Sequence, residues 1–147
     1  MITRTVLAID LNGSASTIEA YKAHHRRVWP EVLASLRRAG IHRMDIYLLG
    51  RRLVMILETN DPDFRRCFAA HVASSSRVAE WEALMRSLQT PPPGAPQGEW
   101  WTQMEPVFSL EQAEDPPSRT GNGRATARQV GAKKGASERA RRSVRTD

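Results

Sequence analysis

The chain has 147 residues, 40% of them hydrophobic, which suffices for one domain with a single core and leaves little room for a second. Its one cysteine, Cys67, excludes an intrachain disulfide, and no window holds the ~20 apolar residues a membrane span needs. The N-terminus also has no leader-like cleavage pattern, so a cytoplasmic protein without a membrane partner is expected.

The net charge of +6 suggests nucleic acid until it is divided along the chain. Residues 112–147 hold nine Lys and Arg against four acids, a net +5, so residues 1–111 carry only +1. The C-terminal stretch has no aromatic residue, and its only large aliphatics are Val130 and Val144. Such a composition buries too little apolar surface to offset the entropy of ordering. We expect a folded domain over residues 1–111 and a disordered basic tail over 112–147. The domain gives no electrostatic reason to bind nucleic acid; only the tail could.

In chain order, residues 3–11 are rich in β-formers and stop at the turn pair Asn12-Gly13, predicting a first strand. Ser16 and Glu19 have capping-box spacing and predict the start of a long helix running to about Ala39, kinked at Pro30 and closed by Gly40. Its apolar positions Ile18, Tyr21, Val28, Val32, Leu33 and Leu36 recur every three or four residues. Two β-like runs follow, His42 to Leu49 and Leu53 to Thr59, joined tightly through Gly50 as a hairpin. Two helical stretches come next, separated by Ser74-Ser75-Ser76, the second carrying Val78, Trp81, Leu84, Met85 and Leu88 at helical spacing. After Pro91-Pro92-Pro93-Gly94, residues Trp100 to Leu110 predict a last strand.

The order βαββαβ is the ferredoxin-like plan of the α+β class, with one antiparallel sheet and its helices on one face. Something must cover the other face. A second copy of the chain does so economically, giving a homodimeric α/β barrel.

His25 lies four residues after Tyr21 and three before Val28, on the apolar stripe of the first helix. A histidine so placed can be a satisfied structural residue. Tyr21 one turn earlier, Trp29 one turn later and Trp81 on the second helical region make it instead part of a candidate sugar pocket, with aromatic faces for C–H surfaces and polar groups for hydroxyls. Asp45 and Glu58 each sit within an apolar strand, either facing inward or toward solvent on an alternating strand. Trp100 and Trp101, adjacent on a predicted strand, should face opposite sides, so at most one lines a pocket. There is no Gly-rich phosphate loop, HExxH, CxxC or GxSxG, and His42 and His71 stand apart from other ligand types. No metal or cofactor is expected.

The segment YKAHHRRVWPEVLASLRRAGI from Tyr21, with IYLLGRRLVMILE from Ile46, EWEALM from Glu80 and MEPVFSL from Met104, resembles the L-rhamnose mutarotase family and its L-fucose-type relatives over about residues 3–111. The most specific part is Tyr21, His25, Trp29, Pro30 and Glu31. The resemblance implies a dimeric ferredoxin-like fold and an aldose mutarotase, an enzyme that interconverts the anomers of a 6-deoxy-L-hexose. It further implies that His25 transfers the proton and that Tyr21 and Trp81 contact a monosaccharide. Where the rhamnose-type pattern has a tyrosine, this chain has Met44 and then Asp45; where it has paired tryptophans, it has Trp81 and Glu82. Asp45 or Glu82 could supply replacement hydrogen bonds, which leans the expected substrate toward L-fucose. The alternatives are a small barrel monooxygenase, or a dimeric ligand-binding or regulatory module whose tail engages RNA.

Overall fold

Strand β1, Thr3–Leu11, alternates strictly enough to have two distinct faces, and it becomes the centre of the sheet. It pairs antiparallel with β3, Arg52–Thr59, over eight positions from Thr3 opposite Thr59 to Asp10 opposite Arg52. Strand β2, Ile41–Leu49, lies on the other edge of β3 through the hairpin at Gly50, whose φ of 61° suits a residue without a Cβ. On the free side of β1 the fourth strand comes in two pieces. β4, Gln89–Thr90, pairs with Asp10 and Leu11; β5, Thr102–Gln103, pairs with Leu7 and Ala8. The order β2-β3-β1-β4, with β5 beside β1, is the ferredoxin-like α+β sheet expected from the sequence.

These coordinates come from a computed structural model that describes residues 1–115. A compact unit spans Met1–Pro106, and the expected disordered tail falls largely outside the described residues. The last strand is far shorter than the predicted run from Trp100 to Leu110. Among the described residues beyond Gln103, only the Met104 amide still reaches β1, donating to the Val6 carbonyl at 2.7 Å, and Pro106 then has no amide to offer a ladder.

The helical layer also departs from expectation at two points. The first helix is two: α1, Ala15–Arg26, and α2, Pro30–Arg38. Pro30 does not kink a continuous helix; it opens α2 at the first helical position, where a missing amide costs nothing, and Trp29 before it is extended. The capping box does not form either. The cap position is Ser14, without a side-chain hydrogen bond to the backbone, Ser16 lies within α1 with its hydroxyl 2.7 Å from that of Ser14, and Glu19 pairs with Lys22.

Helix α3, Phe64–Val72, starts at Asp63, whose carboxylate accepts from the Arg65 amide; α4, Ser76–Leu88, starts at Ser75, whose hydroxyl accepts from the Val78 amide. Between α2 and β2 sits Gly40 at φ 88°, where a Cβ would lie 2.1 Å from Asn60 Oδ1. Only glycine fits there.

The four helices among the described residues cover one face of the sheet. Leu7, Ile9, Leu11, Leu53, Met55 and Leu57 are buried against Tyr21, Val32, Phe64, Cys67, Val78 and Trp81. The register puts Val6, Ala8, Val54 and Ile56 on the opposite face, with Tyr47 58% and Leu49 86% exposed beside them. The ion pairs Arg4–Glu58 and Arg52–Asp10 flank that apolar centre.

Candidate active site

Between the helices and the sheet lies a cavity of about 780 Å³, within the range of small-molecule sites. The helix α1 stripe brings Tyr21 and His25 to it, and α4 brings Trp81 and Glu82. Beneath them Met44, Ile46 and Leu48 of β2 form an apolar floor.

The ring of His25 stacks on that of Tyr21 at 4.2 Å between centroids and meets Trp81 edge-on at 5.7 Å. Its Nδ1 lies 2.9 Å from the Tyr21 carbonyl oxygen. A carbonyl can only accept, so Nδ1 carries the hydrogen and Nε2 keeps its lone pair. Burial lowers the His25 pKa below the ordinary histidine value, with the neighbouring His24 charge adding and the Tyr21 carbonyl opposing. Burial thus favours the neutral His25 ring, with Nε2 as its free nitrogen. Burial acts on Tyr21 in the other direction, raising its phenol well above the ordinary value, so this side chain remains a hydroxyl donor.

Trp29 and Asp45 are placed differently from these. Trp29 packs edge-on with Trp81, ring centroids 5.2 Å apart, with the Arg77 guanidinium 3.6 Å over the Trp29 ring, and it does not line the cavity. This follows from the break before Pro30, which ends the α1 stripe three residues early. Asp45 lies on the sheet face away from the helices, paired with Arg43, and Glu58 on the same face accepts from Arg4 at 2.9 Å. The strand alternation that sends Met44 and Ile46 inward sends Asp45 outward.

Both Trp100 and Trp101 line the cavity, contrary to the expectation that at most one could. The strand begins only at Thr102, so the pleat does not govern the two rings. Trp100 Nε1 donates to Gln89 Oε1 at 2.9 Å, and the Arg86 guanidinium lies 5.1 Å over its ring. Sequence reasoning also passed over His71 and Gln89, which line the cavity as well. Among the described residues no cluster of three or more His, Cys, Asp or Glu side chains is arranged to hold a metal ion.

The L-rhamnose mutarotase family model matches residues 4–110. The chain is 38% identical over 112 residues to an L-fucose mutarotase of Xanthomonas campestris pv. campestris, covering 75% of this chain and 90% of that protein. A protein of Dictyostelium discoideum is 37% identical over 108 residues, 71% of this chain and 86% of its own length. Among solved structures, an L-rhamnose mutarotase from Formosa agariphila superposes with a TM-score of 0.53 at 20% identity, covering 74% of this chain and 98% of that one, which supports the fold. With the cavity and its histidine on the same matched span, the chain belongs to the L-rhamnose mutarotase family of enzymes that interconvert sugar anomers.

Proposed function

We propose that the protein interconverts the α and β anomers of a 6-deoxy-L-hexose, L-fucose in preference to L-rhamnose, by ring opening in this cavity with His25 as the base. The observation that carries the reading is the geometry of His25. Nδ1 is committed to the Tyr21 carbonyl, and Nε2 is the free nitrogen of a ring that burial keeps neutral. A base of this kind takes the anomeric hydroxyl proton as the C1 to ring-oxygen bond breaks, an acid protonates the ring oxygen, and the resulting aldehyde recloses on either face. Trp81, Trp100 and Trp101 offer faces to the sugar's C–H surface, and the Tyr21 hydroxyl a donor. The preference for L-fucose is supported by the 38% identical relative of that activity and by Met44 in place of the tyrosine of the rhamnose-type pattern.

A cytoplasmic homodimer completes the reading. Its support is the helix-free sheet face, whose apolar centre of Val6, Ala8, Val54 and Ile56 has Tyr47 and Leu49 exposed beside it. No helix among the described residues is long and apolar enough to cross a membrane.

Saturation-transfer NMR on equilibrated L-fucose and L-rhamnose tests the activity. Wild-type protein should speed exchange between the anomeric protons, L-fucose faster, and His25→Ala should lose that acceleration. Exchange no faster than in buffer for either sugar would sink the proposal.

A further inference from the structure

Mutarotation needs an acid as well as a base, and His25, held neutral with its only N–H spent on a carbonyl, has no proton to give the ring oxygen. Among the described residues the cavity holds two carboxylates, Glu82 and Glu99. Glu99 is already engaged, accepting a charge-assisted hydrogen bond from the Arg65 guanidinium at 2.8 Å. Glu82 has no Lys or Arg within ion-pair distance among the described residues; its partner is His71, whose Nε2 lies 3.2 Å from Glu82 Oε1. The Glu82 side chain is 30% exposed and lines the cavity, whereas His71 has no exposed surface.

Behind this pair the hydrogen bonds run inward. His71 Nδ1 is 2.8 Å from the Ser35 hydroxyl, Ser35 is 2.8 Å from the Ser74 hydroxyl, and Ser74 donates to the His71 carbonyl at 2.6 Å. Ser35 also lies 3.4 Å from that carbonyl, the longest contact of the set. The four short contacts, from Ser74 out to Glu82, each need one hydrogen. Two hydroxyls and a neutral imidazole supply three. With the Ser74 hydrogen on the carbonyl, Ser35 donates to Ser74, and Nδ1–H donates to Ser35. Nε2 would then turn a lone pair toward an ionised carboxylate, a repulsive contact inside the protein. The fourth hydrogen removes the repulsion, whether it rests on Nε2 or on the carboxyl.

We infer that Glu82 and His71 share one proton, and that Glu82 delivers it to the ring oxygen of the sugar as the acid opposite His25. The inference rests on the mutarotase reading above. On opening, the anomeric O–H proton passes to His25 Nε2, the C1 to ring-oxygen bond breaks, and the ring oxygen takes the proton of the pair. On closure each proton returns along its path, so no net charge or hydrogen is consumed. Glu82 is the catalytic residue; His71 and Ser35 are positioning residues that hold the proton and aim the carboxyl.

Glu82→Gln tests this without removing the network, since the amide fills the carboxyl's place and its N–H can donate to His71 Nε2. Anomer exchange by E82Q should fall more than tenfold, toward the ~10²-fold that a positioned acid contributes at the low end, and the loss should lie in kcat. A loss below tenfold, or one carried by KM alone, overturns the assignment. Nitrogen NMR of the His71 ring in wild-type protein without sugar is the second readout. A hydrogen on Nδ1 is expected, with or without one on Nε2; a neutral ring protonated only on Nε2 overturns the shared proton. If wild-type protein exchanges neither sugar, the reaction itself is lost, and with it the role of Glu82 as its acid. The nitrogen measurement would still decide whether the pair holds a proton.

Discussion

The two faces of the sheet are built from the same strands and nearly the same residue types, yet they do different work. On the helix side, Leu7, Ile9 and Leu57 are fully buried, and the layer above them opens into a cavity lined by His25, Tyr21 and Trp81. On the other side, charges sit beside an apolar centre, each neutralised by a cross-strand or near neighbour: Arg4 with Glu58, Arg52 with Asp10, Arg43 with Asp45. Charge on the far face is therefore balanced locally by arginine. On the helix side an imidazole and a carboxylate, His71 and Glu82, face each other without one among the described residues. Arginine keeps its proton at any accessible pH, whereas an imidazole is a side chain able to gain and lose one near neutrality.

Substitutions divide along this line. His25→Ala should reduce catalysed anomer exchange by about 10²- to 10⁴-fold, measured by saturation transfer, and leave the folded state intact by circular dichroism. Next in size, Leu57→Ala should cost roughly 2 to 5 kcal/mol in urea unfolding because it empties a fully buried site; Val54→Ala, its counterpart across the sheet, should cost less in the monomer.

Ile56→Arg puts an unbalanced charge in the apolar centre of the far face. Light scattering should then show a monomer with native circular dichroism, and a dimer that survives would remove that face as the interface.

The pH dependence is smaller and has a defined sign. His25 acts unprotonated and its pKa is lowered by burial, so exchange should fall on acidification with a midpoint below the ordinary histidine value of 6.5. A midpoint above 6.5 would argue against His25 as the base. Smallest of all, Asp45→Asn should leave exchange within about twofold of wild type, since Asp45 lies across the sheet from the cavity and its ion pair is exposed.

Much of this division is legible in the sequence. The strand pattern of β1 and the three- and four-residue spacing around Tyr21 and His25 are local signals, and local geometry turns them directly into a face. Trp29 shows where such reasoning ends: counting one turn on from His25 presumes a continuous helix, and Pro30 starts a new one. Trp100 and Trp101 mislead for a related reason, because alternation applies only inside a strand and the strand begins one residue later. The pairing of His71 with Glu82 has no local signature at all. The two lie on different helices, and only the packing of α3 against α4 and α2 brings the imidazole between a carboxylate and the Ser35 hydroxyl. Exchanging Trp for Glu at position 82 is readable as a departure from the rhamnose-type pattern, and the buried histidine behind it gives that departure a chemical meaning.

The fourth strand's division into β4 and β5 separates what holds the sheet from what shapes the cavity. Four residues keep register with β1, and the eleven between them, ending in Trp100 and Trp101, are free of the ladder. Residues in that excursion can lengthen, shorten or trade aromatic for polar side chains while the strand contacts stay in place. The wall of the cavity is in this sense an exchangeable cassette, and under the proposed function a change of preferred pyranose would need no change in the scaffold or in His25.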